Sequence, residues 1–506
     1  MIDFCKFAKY DPAQAAPLTF RDMDGRVLLT NRAGDFHFLG KTDFASLVEG
    51  SLSPDSSTGE ALAAKGFLAD KLDREAQYRK EEARRHFLQC GPSLHIFVVT
   101  LRCNETCVYC HSSRAPMDAT HTDMSPETAR AALDLVFAST AGDVTMEFQG
   151  GEPLLNFDLI KLIVLEAESR NVHIGKRIQF ALVSNLAAMD EEKLQFFLEH
   201  RVQVCTSLDG PQALHDSQRV LPNDSSFEKT AFWIKRINEA YQSMGLDPVL
   251  YHVEALLTTT RQSLSQARAI VDTYRGLGCK ALFLRPLDPF GFGLKQQDSL
   301  GVTPAEFLAF YREVVDYIIE LNLAGEQLIE RFAAIFLTKI LTGTDPNYLD
   351  LRSPCGAGVG QLAYNYDGRI FTCDEGRMLA EMGDEFFLLG QTQLSSYRQL
   401  MTHETVCSML MASNLDVAPD CVHCVYRPYC GTCPVYNYTT QGTLQGRMRD
   451  NTLCSIYKGM LDYLFGKIAA NDANVMQVLH RWTVSRPRQH FVHDTNDGEV
   501  ARSISP

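Results

Sequence analysis

The 506-residue sequence has no run of about 18 consecutive apolar residues, so nothing in it reads as a membrane-spanning helix. Basic charge is also scarce. Only 48 Lys and Arg stand against 62 Asp and Glu, a formal net charge of −14. Nonspecific nucleic-acid binding needs the opposite balance, so no nucleic-acid partner is expected, whereas a basic peptide stays acceptable as substrate. The opening residues, Met1-Ile2-Asp3-Phe4-Cys5-Lys6, lack the basic region and apolar core of a secretion signal. Without an oxidising compartment, the fifteen cysteines do not read as disulfides. The expectation is a cytoplasmic metalloprotein, since 45% apolar and 22% charged residues suit a soluble globular chain.

The cysteines are grouped. Cys103, Cys107 and Cys110 lie on one short loop, Cys103-Asn104-Glu105-Thr106-Cys107-Val108-Tyr109-Cys110. Soft thiolates select iron–sulfur clusters, zinc or copper, and fully liganded electron-transfer clusters take four cysteines. Three on a loop leave one iron open for a small molecule. Zinc, whose closed sites want four ligands, is the alternative. The loop follows Leu94–Thr100, an apolar β-branched run of the kind that forms a buried parallel strand. That places it at a strand's carboxyl end, where α/β folds put their chemistry.

A chain of this length predicts more than one domain. Residues 1–70 carry two strand patterns, 26–31 and 35–39, joined by Arg32-Ala33-Gly34, then helical patterns at 42–49 and 58–65. This order looks like the winged-helix recognition domain of peptide-modifying enzymes, which adds a leader peptide to a sheet edge; a packing extension is the plainer alternative. Residues 71–92 read as a charged, solvated linker. From 93 to 300, strand patterns at 144–148, 178–183, 202–207, 253–258 and 281–284 alternate with helical stretches, predicting an α/β fold with a partial six-unit barrel. Bridging helices are expected over 301–345, a cysteine-rich domain over 346–455, and a terminal helix with a mobile tail over 456–506.

Polar residues fall at the predicted strand ends. Gln149-Gly150-Gly151-Glu152 ends the second, Ser184-Asn185 the third, and Ser207-Leu208-Asp209-Gly210 the fourth, followed by His215-Asp216-x2-Arg219. Together with the three-cysteine loop, this order resembles the radical S-adenosylmethionine (SAM) superfamily. The resemblance implies a 4Fe–4S cluster on Cys103, Cys107 and Cys110 whose open iron chelates SAM. It also implies reductive cleavage of SAM to a 5′-deoxyadenosyl radical. Gln149, Gly150 and Gly151 would then meet the SAM amino group, with Glu152 shaping the turn. Ser184 and Asn185 would face the cofactor, Ser207 and Asp209 the ribose, Arg219 the carboxylate and Tyr109 the adenine.

A second array holds Cys355, Cys373, Cys421, Cys424, Cys430, Cys433 and Cys454. It resembles the SPASM domain, implying two auxiliary 4Fe–4S clusters. Carried over, Cys355, Cys373 and Cys433 serve the first, with the fourth position either Cys407 or an open iron. Cys421, Cys424, Cys430 and Cys454 serve the second. A zinc ribbon over 421–433 is the alternative. Asp374, directly after Cys373, is the expected proton acceptor, or else a solvated loop carboxylate. The runs 27–36, Glu147–Phe157, Tyr364–Gly368 and Asp374–Asp384 look like the radical SAM maturases of His-Xaa-Ser peptide systems. That likeness implies a ribosomally made precursor peptide as substrate, a crosslink at a β-carbon as product, a reductant such as flavodoxin or ferredoxin, and a companion maturase. Formylglycine formation, as by sulfatase-maturing enzymes, and a non-enzymatic iron–sulfur scaffold are the other classes weighed.

Overall fold

The computed structural model describes residues 14–346 and 349–494; Cys5, the start of the 1–70 unit and the end of the 456–506 segment lie outside them. β1 (Thr19–Met23), β2 (Arg26–Thr30) and β3 (Phe36–Gly40) form an antiparallel sheet in that order. The sequence reading has two strands here; the structure adds β1. Its signal was Asp24-Gly25, both at positive φ (45° and 98°), the Asp-Gly turn that matches the twist of a tight hairpin. Helices Lys41–Val48 and Ser57–Ala64 cover one face, burying Val27, Leu29, Leu39, Phe44, Leu47 and Leu62 together. On the other face Phe36 and Phe38 meet Phe465 edge-on.

The segment expected as a solvated linker does more than span. Its helix Arg74–Arg84 buries no side chain fully. Yet the Arg84 guanidinium donates to three carbonyls, Gly343 (3.2 Å), Pro428 (3.2 Å) and Lys339 (2.8 Å). One planar fork with five donors thus ties the N-terminal unit to both the bridging helices and the loop before Cys430.

The barrel strands are β4 (Leu94–Thr100), β5 (Asp143–Gly150), β6 (Arg177–Ser184), β7 (Gln203–Ser207) and β8 (Glu254–Thr259). The last expected strand divides. β9 (Ala281–Leu282) pairs with β11 (Ile329–Glu330), while β10 (Leu284–Pro286) pairs in parallel with β8. Beyond β4, the sheet continues into the cysteine-rich region. β12 (Gln361–Tyr364) joins β4 in parallel, followed by antiparallel β13 (Arg369–Phe371) and β14 (Leu388–Gln391). The boundary drawn at 346 therefore does not divide the sheet. An uncovered β4 edge would leave a row of unpaired backbone groups, and β12 satisfies it.

Residues 456–494 also differ from expectation. Two helices, Thr452–Ala470 and Ala473–Trp482, are separated by Asn471 in the left-handed conformation (φ 52°). Then β15 (Val492–His493) pairs antiparallel with the start of β6, so the described part of the tail is docked under the barrel. Alternation along β5 sends Val144, Met146 and Phe148 into the main core against the flanking helices. Thr145, Glu147 and Gln149 fall on the concave side, half-buried. Among the described residues, no helix is long and apolar enough to cross a membrane.

Candidate active site

The carboxyl ends of β4 to β8 converge on the Cys103–Cys110 loop. Backbone bonds pin that loop: Cys103 N donates to Ala115 O (3.1 Å), Thr106 N to Val220 O (2.8 Å) and Val108 N to Gln218 O (2.9 Å). Opposite it, Gly151 N donates to Thr100 O (2.9 Å) and Glu152 N to Arg102 O (2.7 Å). The approach is too close for side chains. A Cβ on Gly150 would stand 2.0 Å from Thr100 O, and one on Gly151 2.3 Å from Leu101 O and Arg102 O.

Glu152 is fully buried and faces its own turn. It accepts from Leu154 N (3.0 Å), Ser184 Oγ (2.8 Å) and Asn185 N (2.8 Å), which locks the ends of β5 and β6 together. Burial raises its carboxyl to about 7, with those hydrogen bonds opposing. Gln149 donates its amide to Glu147. Asn185 reaches the cysteine loop through Asn104 Oδ1 (2.8 Å). Ser207 is half-buried at the end of β7.

Asp209 is fully buried and takes the Tyr109 hydroxyl at 2.5 Å and the Arg219 guanidinium at 3.3 Å. Arg219 also stands 3.7 Å from Glu105, 3.8 Å from Cys107 Sγ, and over the Tyr109 ring at 5.5 Å. Tyr109, Asp209 and Arg219 are thus brought into one knot. Glu105 completes it, and the sequence reading passed it over. It is fully buried and accepts from Ser226 Oγ at 2.5 Å. A carboxylate inside a cysteine loop was its only signal, and burial is not legible from that. His215 joins Asp209 N (3.2 Å) to Ser226 Oγ (3.0 Å), and burial lowers its ring to about 3.

The donor set fits the group that the motifs imply. Around the ends of β7 and β8, Asp209 Oδ1, both amide atoms of Gln218 and the hydroxyl of Thr259 are buried without a hydrogen-bond partner among the described residues. Buried polar atoms normally find partners, and a polar nucleoside with an amino-acid arm would supply them here. Gln218 and Thr259 carried no motif and were missed. Burial pushes the Cys103 and Cys107 thiols up, the latter opposed by Arg219. Metal binding would release those protons.

The second array separates in space. Cys355 and Cys373 lie in one apolar cluster with Cys433 packed against it. Cys373 and Cys433 each cap a helix N-terminus, accepting from Gly376 N and Tyr436 N at 3.4 Å; burial, with Glu375 and the neighbouring cysteines adding, raises the Cys373 thiol. Cys421, Cys424, Cys430 and Cys454 surround a cavity of about 470 Å³, which Cys433 also lines and whose far wall is Phe20 and Arg21 of β1. Burial raises Cys421 to about 12, its neighbours Cys424 and Cys454 adding to the rise. Cys407 does not join either group. It is exposed on helix Glu404–Ala412, whose inward residues are Thr405, Val406 and Met409. Among the described residues, no three His, Cys, Asp or Glu side chains are arranged around a single metal ion, so the zinc reading rests on spacing alone.

Asp374 is not a solvated loop carboxylate. It is 7% exposed, and both Nε (2.9 Å) and a terminal nitrogen (2.8 Å) of fully buried Arg377 donate to its Oδ1. Arg377 in turn donates to Ser112 O (3.0 Å), just past Cys110. Burial first, and then the Asp374 charge, raises the Glu147 carboxyl. Two carboxylates therefore share the concave side of the sheet.

Residues 97–252 match the family model described as the Radical SAM superfamily. That match takes in the three-cysteine loop and the ends of β4 to β7. Along 396 residues it is 23% identical to the cysteine-type anaerobic sulfatase-maturating enzyme of Clostridium perfringens, covering 76% of this chain and 98% of that one. The fold is similar to that of anSMEcpe, solved with bound AdoMet and a peptide, at a TM-score of 0.62 and 20% identity over 77% of this chain and all of the other (100%). It is also similar to Streptococcus suis SuiB bound to its precursor peptide SuiA, at a TM-score of 0.52 and 13% identity over 88% and 99% of the two chains. The matched segment also holds the strand-end knot of Tyr109, Asp209, Arg219 and Glu105.

Proposed function

We propose that this protein is a radical SAM maturase that oxidatively crosslinks a ribosomally made precursor peptide, of the kind found in His-Xaa-Ser systems. The observation that carries the reading is the knot of Tyr109, Asp209, Arg219 and Glu105 beside three loop cysteines, with unpartnered Gln218 and Thr259 around it. Cys103, Cys107 and Cys110 would hold the 4Fe–4S cluster. Gln149 to Gly151, Ser184, Asn185, Ser207, Asp209 and Arg219 would hold SAM, with Glu152 keeping the strand ends in register. When bound, the cluster and SAM supply a radical able to take hydrogen from an unactivated carbon.

The chain's own residues do the rest. Arg219 and Asp209 place opposite charges where a carboxylate and hydroxyls would dock. Asp374, held in place by Arg377, accepts the proton released when a peptide carbon is oxidised. Cys355, Cys373 and Cys433 would hold one auxiliary cluster with an open iron, and Cys421, Cys424, Cys430 and Cys454 another. The β1–β3 sheet would receive the leader peptide at a free edge, and a flavodoxin- or ferredoxin-like donor would supply electrons.

The test is anaerobic reconstitution with iron and sulfide analysis, then SAM cleavage under dithionite. About twelve irons per chain with 5′-deoxyadenosine formed is the expected result. Cys373→Ala and Cys421→Ala should each lower iron by about four, and the double variant by about eight, because the two groups are separate. A drop of about four in the double variant would mean a single auxiliary cluster. Full iron without SAM cleavage would favour a scaffold. A second reading, formylglycine formation on a sulfatase, is supported by the similarity along 98% of the Clostridium perfringens enzyme. Mass spectrometry separates the two after incubation with a precursor peptide or a sulfatase peptide.

Electron supply gives a further check on the Arg84 clamp. Arg84→Met removes donors to three carbonyls, one of them two residues before Cys430. It should alter the EPR spectrum of the auxiliary clusters and leave that of the SAM-binding cluster unchanged.

A further inference from the structure

We propose that the base of the barrel, opposite the strand-end site, is a binding site for a small organic phosphate. A cavity of about 860 Å³ lies there, bounded by the starts of the strands and by the segment after Trp482. Its volume falls within the range of small-molecule sites. It is remote from the cysteine loop in topology: Gln179 lies in the first half of β6, His252 precedes β8 and Lys280 precedes β9, whereas Ser184 and Thr259 end their strands at the other side.

Two buried side chains face this cavity with nothing to bond. Both ring nitrogens of His252 and the indole Nε1 of Trp482 lack partners among the described residues, although each residue is only 4% exposed. The nearest carboxylate oxygen to His252, on Glu254, is 3.9 Å away, too far for a hydrogen bond. An indole N–H can only donate, so the missing partner is an acceptor.

The charges agree. Arg331 and Arg488 share the single carboxylate Glu254, and Arg486 is balanced by Asp247 at 2.7 Å. Lys280 and Arg481 also line the cavity and form no ion pair among the described residues; Arg481 reaches only the Asn322 carbonyl, at 3.4 Å. Cations therefore outnumber carboxylates around unpartnered donors, in a chain whose net charge is −14. Burial, aided by Arg488, Arg331 and Lys280, lowers the His252 ring to about 4, so it stays neutral. A phosphate monoester matches this wall better than a carboxylate, because it carries more than one charge and three acceptor oxygens for guanidinium forks. The remaining volume has room for its organic part.

The experiment is calorimetric titration of the anaerobically reconstituted full-length protein with SAM present, so that the strand-end site is filled. Glycerol phosphate, inorganic phosphate and succinate are the probes. Saturable binding of glycerol phosphate at one per chain is expected, weakened at least tenfold in the double variant Lys280→Ala/Arg481→Ala. Both residues lie outside the catalytic machinery, so 5′-deoxyadenosine formation without added phosphate should match wild type and report an intact fold. Absence of saturable binding would overturn the proposal, as would equal affinity in the double variant. Succinate binding as tightly as glycerol phosphate would overturn the assignment to phosphate, and binding of inorganic phosphate alone would overturn the organic part.

Discussion

Asp374→Asn is expected to leave 5′-deoxyadenosine formation near wild type and to lower crosslinked peptide by about a hundredfold or more, the usual contribution of a positioned base. The reasoning begins with charge. Both bonds from Arg377 go to Asp374 Oδ1, and among the described residues Oδ2 accepts none. A buried guanidinium orients the carboxylate through one oxygen and leaves the other available to a proton. Asparagine keeps the shape and one acceptor but has no basicity. Uncoupled turnover should follow, with SAM consumed and the peptide returned or released partly oxidised. Liquid chromatography of both products in one reaction reads the ratio directly.

Glu147 is the competing base, its carboxyl raised by burial and by the Asp374 charge. Glu147→Gln therefore serves as the paired variant. If Asp374 is the acceptor, Glu147→Gln should retain most crosslinking. Loss of product in Glu147→Gln with an active Asp374→Asn would move the role to Glu147. Arg377→Met should resemble Asp374→Asn only in part, since the carboxylate remains, and should lower stability by about 3 kcal/mol or more because it leaves a buried charge unpaired.

The strands of the barrel were legible because their patterns are local: β-branched apolar runs bounded by Gly, Asn and Asp chemistry mark Leu94–Thr100 and Arg177–Ser184 within a residue or two. The continuation of the sheet through β12 was not, because pairing of Gln361–Tyr364 with β4 is a contact between segments far apart in sequence. The docked β15 was hidden for the same reason. In the site, residues on motifs could be named from the sequence, and the fold brings Tyr109, Asp209 and Arg219 together, while Glu105, Gln218, Thr259 and Arg377 carried no such signal. What distinguishes these four is burial beside a charge or a cavity, a property of the folded chain that spacing does not carry. The two cysteine groups are an intermediate case. The resemblance divided Cys355, Cys373 and Cys433 from Cys421, Cys424, Cys430 and Cys454; the folded chain gathers the first three at one apolar cluster and the other four around a cavity, which Cys433 also lines. The exposure of Cys407 required the helix phase of Glu404–Ala412.

Gly150→Ala should be the most damaging single-methyl change in the domain. Gly150 has φ 148°, and its added Cβ would lie 2.0 Å from the Thr100 carbonyl oxygen. The obstacle is backbone, so no rotamer change relieves it, and the conformation itself is strained for any residue but glycine. The strand ends of β4 and β5 must separate. That breaks the bonds from Gly151 N to Thr100 O and from Glu152 N to Arg102 O, and with them the spacing between the cysteine loop and the Gln149–Gly151 turn. The expected results are a stability loss on the order of 3 kcal/mol, about four fewer irons per chain, and no measurable SAM binding. Gly142→Ala is the matched control just before the same strand, since its added Cβ meets nothing within 4 Å; it should behave as wild type in melting, iron content and SAM titration. A Gly150→Ala protein that still bound SAM with unaltered affinity would show that the turn does not cradle the cofactor, and the Gln149–Gly151 assignment would be withdrawn.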